Sequence, residues 1–194
     1  MTLALWNYHD THGRLPPAVV YGESGQPLYS WRVLILPFIE GEELLDEFHL
    51  DEPWDSPHNL TLLPKMPGSY ALRPHRARKM KMPPYHTIMH VFVGRNAAFE
   101  GKEGLRREDF TDGLSNTILV IEAGEPVPWT KPDDLHYDPD EPLPDLRCPF
   151  REGFRVGLGD GSMRTIYYRI SEMTLRAAIT RNGGERLGRE WQDY

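Results

Sequence analysis

The sequence predicts an α+β fold, in which a small antiparallel sheet carries a helix near each end of the chain. Three observations predict it. Thr2 to His12 has helical spacing and meets Gly13, a natural residue to close a helix. Phe154, Val156 and Leu158 alternate with Arg155, Gly157 and Gly159 ahead of Asp160-Gly161, the mark of a hairpin. Ser171 precedes an apolar stripe made of Leu175, Ala178 and Ile179. The 194 residues fit one domain, 1–194, while 18 prolines and 17 glycines predict long loops.

The elements follow in chain order. Leu5 and Tyr8 lie one turn apart in the first helix, which stops before Arg14-Leu15-Pro16-Pro17. No residue caps its start, so it reads as the end of a longer helix. Ser30 is an N-cap for a helix through Trp31, Leu34, Ile35 and Phe38, kinked or stopped by Pro37 and Gly41. A second short helix carries Leu44, Leu45 and Phe48, and Asn59 to Leu63 suits one more helical turn.

Thr87 to Val93 is rich in β-branched and aromatic residues and reads as a strand. Thr117 to Ile121 is nearly all apolar, as in a strand buried on both faces. A two-residue type I′ turn at Asp160-Gly161 pairs Leu158 with Met163, Val156 with Thr165 and Phe154 with Tyr167. Those six residues then share the core face. In the last helix Ile170 staples onto Leu175, and Asn182-Gly183-Gly184 ends it. Residues 124–149 are dense in proline and acid and read as a loop excursion without regular structure.

Composition excludes several functions. A net charge of -7 opposes nucleic-acid phosphates. The single cysteine, Cys148, rules out an internal disulfide and a thiolate zinc site. The longest apolar run, Val33 to Ile39, contains Pro37 and is too short to span a bilayer. Met1 to Tyr8 lacks the charged start and cleavage site of a signal peptide, which implies the cytoplasm if Met1 is the native start.

Few side-chain patterns point to chemistry. His9 and His12 have metal-ligand spacing on a helix, yet a helix C-terminus also favours His. His86 and His90 share a strand face but sit about 13 Å apart at strand rise, too far to chelate one ion. Asp109 and Asp112, followed by Gly113, and Asp160 with Gly161 suggest carboxylate pairs, but both Asp-Gly pairs read as turn chemistry, without a nucleophile elbow or phosphate loop. Arg73, His75, Arg76, Arg78, Lys79 and Lys81 form a basic run among prolines, which reads as a solvated loop able to meet an acidic partner. Trp54 and Trp129 either pin their loops to the core or anchor an interface. Asp133, Asp134, Asp138, Asp140 and Glu141 supply the hard oxygen ligands that calcium takes, without matching an EF-hand.

An ordered set of motifs carries a resemblance. Asn7 to Pro17, Ser30 to Pro37, Asp51 to Asn59, Thr111 to Thr117, Val127 to Pro132, Leu158 to Arg164 and Ile179 to Gly184 resemble a planctomycete-expanded prepilin-type family of unknown function. That family is also labelled solute-binding-protein-like. The resemblance implies a pilin-like fold, export, and an apolar first helix half that anchors the protein. The prepilin segment is missing ahead of Met1, and Phe150 stands where some members have histidine. The expectation is a non-catalytic pilin-like or pseudopilin-like assembly subunit in the periplasm or at the cell surface. Its partners would be other pilin-like subunits or envelope proteins. Nucleic acid is not expected, and membrane only through the missing helix. The alternative is a module that binds calcium or a small ligand through the acidic loop, and an enzyme ranks last.

Overall fold

A computed structural model describes residues 1–147 and 152–193, so Cys148, Pro149 and Phe150 lie outside the described residues. Helix α1 spans Thr2–His12 and ends at Gly13, whose left-handed φ of 79° lets its N–H donate to the His9 carbonyl. Ala4, Leu5 and Trp6 are buried, and the Trp6 indole donates to the Gly159 carbonyl at 2.6 Å. Strands β1 (Val19–Tyr21) and β2 (Pro27–Ser30) form a small antiparallel hairpin. Ser30 then caps α2 (Trp31–Leu34), its hydroxyl accepting from the Arg32 N–H. Pro37 cannot continue that helix, and the chain tightens into a 3₁₀ turn over Leu36–Phe38.

Helix α3 spans Glu42–Glu47 and α4 spans Pro57–Leu60. Buried Asn59 fastens the turn-rich segment between them, accepting from the His49 N–H and donating to the His49 and Pro53 carbonyls. The basic run is not a loop as the sequence reading had it. Pro74–Met80 forms α5, seeded by proline in its first turn and closed by Lys81 in a left-handed conformation. None of its residues is buried.

The remaining strands are β3 (His86–His90), β4 (Phe92–Gly94), β5 (Ile118–Pro128), β6 (Leu135–Tyr137), β7 (Gly153–Leu158) and β8 (Met163–Tyr167). The main sheet is antiparallel in the order β3-β5-β7-β8. A separate parallel pair joins β4 to β6. Strand β5 is the spine. Leu119 and Val120 enter a core with α1, Trp31 and Trp129, whereas Ile118 and Ile121 enter a second core with Phe154, Ile166 and α6 (Glu172–Ile179). Both faces are therefore covered, as the apolar run predicts.

Three further expectations need correction. First, the β7–β8 hairpin closes one residue differently. Gly157 pairs with Met163, Val156 with Arg164 and Phe154 with Ile166. Leu158 bonds both Ser162 and Gly161, and Gly161 takes φ 89°, so three residues turn the chain with glycine at the left-handed position. A one-residue slip swaps faces: Ile166 is buried, while Met163 and Tyr167 point outward. Second, α6 stops at Ile179, before the glycines. Thr180 turns extended to bridge Ala97, and the Arg181 N–H donates to the Asn96 carbonyl, so tertiary pairing overrides the local stop signal. Third, the proline-acid segment contains regular structure. Strand β5 runs on to Pro128, and β6 lies within the segment. The register opposite β3 shifts between Thr87 and Met89, and such a bulge is where a strand tolerates Pro126.

Candidate functional site

Three ionisable residues remote in sequence meet inside the molecule. Arg32 comes from α2, His90 from the end of β3, and Asp134 from the segment just ahead of β6. The Arg32 Nη2 lies 2.7 Å from Asp134 Oδ1, and Nη1 lies 3.3 Å from Oδ2. The guanidinium also donates to the Met89 carbonyl through Nε at 2.9 Å and to the Ser30 hydroxyl at 3.0 Å. Ser30 thus both caps α2 and holds the charge that α2 presents. Asp134 Oδ1 accepts from the Val91 N–H at 3.0 Å and from the Trp31 indole at 3.4 Å.

His90 completes the group. Its Nε2 donates to the Glu125 carbonyl at 3.0 Å, a carbonyl exposed by the β5 bulge. Because a carbonyl only accepts, that contact places a proton on Nε2. Its Nδ1 sits 3.5 Å from both the Arg32 guanidinium and Asp134. Burial pushes the Asp134 carboxyl up, but the Arg32 charge, the His90 hydrogen bond and the Val91 N–H outweigh it and leave it below the usual carboxylate range. The three side chains are 0%, 1% and 3% exposed for Arg32, Asp134 and His90. This arrangement orients and fastens: it ties α2, β3 and the proline-acid segment together, out of reach of solvent.

The five carboxylates expected to gather around calcium are dispersed. Asp134 turns into the core. Asp133 pairs with Lys131 at 2.6 Å. Arg95 bridges Asp138 and Asp140, and Glu141 faces His136 at 3.8 Å. The cause is β6, whose parallel pairing with β4 separates Asp133 and Asp134 from Asp138, Asp140 and Glu141. Among the described residues, no group of three His, Cys, Asp or Glu is placed to hold a metal ion.

The other sequence candidates resolve individually. His9 packs edge-on against Trp6, while the His12 ring lies on Tyr8 with centroids 4.1 Å apart. Asp160 accepts from Ser162 within its own turn, whereas Asp112 accepts from the remote Gly183 and Gly184 N–H groups and ties its loop to the segment after α6. A cavity of about 30 Å³ beside Glu122 has room for about one water. Trp129 is fully buried and stacks on Tyr70, its indole donating to the Leu63 carbonyl. Of the two readings open for it, the core one holds.

Sequence reading missed Arg32 and the partnership of His90 with Asp134. One signal was present. Arg32 interrupts the apolar stretch Trp31 to Ile39, and a lone cation in a buried stretch requires an anion. Nothing local says which carboxylate answers it.

Comparison with known proteins covers the first part of the chain. Residues 1–73 match a family model described as "Protein of unknown function (DUF1559)". The matched segment contains α1, the β1–β2 hairpin and Arg32, and it ends before His90 and Asp134. No curated protein and no solved structure matches the chain.

Proposed function

We propose that the chain is a non-catalytic, extracytoplasmic, pilin-like assembly subunit. The observation that carries this reading is the seat of α1 on the sheet. Trp6 donates to Gly159 at the end of β7, and a side chain added at Gly157 would strike Thr2 and Val120. A helix so close to a sheet is fixed in direction and suits extension beyond the globular body. The resemblance of the ordered motifs supports the same reading. The Arg32–Asp134–His90 group adds support, because its polar atoms are spent on one another and on the backbone.

Fractionation of cells producing the epitope-tagged native gene product tests the proposal. The product is expected in the envelope fraction, where brief cross-linking yields ladders of like subunits. Recovery as a free cytosolic monomer that does not cross-link would overturn the assignment.

A further inference from the structure

Charge is distributed unevenly along this chain. Between Asp55 and Glu100 every Lys, Arg, Asp or Glu position is occupied by Lys or Arg, so the net charge of -7 is carried wholly by the rest of the sequence. Helix α5 concentrates the positive part. Arg73, Arg78, Lys79 and Lys81 are exposed and have no ion-pair partner among the described residues. The helix buries none of its residues fully and shows the cationic side chains of Arg78 and Lys79 to solvent. Seven residues of helix measure about 10 Å in length.

The complementary surface lies on the same chain. Glu40, Glu42 and Glu43, with Pro37 and Pro67, line an open groove of about 580 Å³ beside α3. These three carboxylates are exposed and unpaired among the described residues, while Glu47 and Lys65, which also line the groove, pair with each other. Arg73, Arg78, Lys79 and Lys81 on one side and Glu40, Glu42 and Glu43 on the other, unpaired among the described residues, match between copies. We infer that α5 of one copy docks in the acidic groove of another, a head-to-tail contact that propagates instead of closing. The inference deepens the assembly reading and rests on it, by naming the second copy's surface as the partner of α5. The contact is electrostatic and exposed at its rim, so salt weakens it.

Sedimentation velocity on the 194-residue chain tests it, with and without salt. Concentration-dependent association is expected at about 25 mM salt, weakening about tenfold or more by about 300 mM. R78E/K79E and E42K/E43K should each be monomeric, with melting temperatures showing that both remain folded. An equimolar mixture of the two variants should associate again, since each then offers the other matched charges. A wild-type chain that stays monomeric at low salt overturns the inference, as does a mixture that fails to re-associate. Flotation with anionic vesicles in place of self-association also overturns it, because α5 would then serve lipid headgroups. None of these failures alters where the native product fractionates, so the assembly reading is judged separately.

Discussion

Arg32 and Asp134 form an ion pair with Nη2–Oδ1 at 2.7 Å, and their side chains are 0% and 1% exposed. Removing one partner leaves the other charged and dry. Asp134→Ala is therefore expected to cost about 3–5 kcal/mol. Arg32→Met combined with Asp134→Leu should recover much of that loss, because an apolar pair needs no solvation. Urea melts of the single and double variants measure both terms. A single-variant loss under about 1 kcal/mol would show that water reaches the pair.

The same pair makes stability depend on pH in a stated direction. The Asp134 carboxyl sits below its ordinary value in the folded protein. Its contribution is therefore present above the unfolded carboxylate value of about 3.9 and is lost as pH falls through the lower folded value. The Asp134 contribution should be level above about pH 5 and decline below about pH 4. Asp134→Asn removes that group from the titration, so its decline should be shallower than that of the wild type. Parallel curves for the two proteins would place the acid sensitivity elsewhere, for example at Glu190, whose carboxyl is held at about 2 by the Ser171 and Thr174 hydroxyls.

The hairpin register yields a sharper test, because two adjacent registers assign opposite faces to β8. Ile166 is fully buried, whereas Met163 is 66% exposed. Ile166→Ala should cost about 2–5 kcal/mol and Met163→Ala no more than about 0.5 kcal/mol. Gly161→Ala should cost about 1 kcal/mol, since φ of 89° suits glycine alone. If Met163→Ala were the costlier of the first two, the two-residue turn would be the right one.

The parts of the fold read correctly from sequence are those with a local cause. Gly13 closes α1 because only a left-handed residue can end a helix that way, and Ser30 and Ser171 cap through their own hydroxyls. Errors arose where a distant partner decided. The Asp160-Gly161 pair signals a turn but not its length, and Ile166 against the second core sets the register. Asn182 to Gly184 signals a helix stop, yet Thr180 leaves earlier to bridge Ala97. The proline-acid segment was misjudged most, because composition says nothing of the bulge that accommodates Pro126 or of Arg32 waiting for Asp134. Buried ion pairs leave no periodic trace in a sequence. Arg32 stands out within its apolar stretch, but Asp134 looks like an ordinary surface residue until the fold joins them.

The alternative reading, a calcium module built on the acidic loop, has its own measurement. A calcium ion takes six to eight oxygen ligands at about 2.3–2.6 Å. Here Asp138 and Asp140 already close on Arg95, and Asp134 is committed to Arg32. Calcium would have to displace a guanidinium in order to draw Asp138 and Asp140 together. The wild-type melting temperature is therefore expected to change by less than about 1 °C between chelator and millimolar calcium, since a ligand that does not bind the folded state cannot stabilise it. Arg95→Gln separates the two causes. It leaves Asp138 and Asp140 without their cation, so it should lower stability only slightly, as for an exposed, solvent-screened pair. A rise of several degrees on adding calcium to the wild type would sink this reading of Arg95 and restore the loop as a metal site.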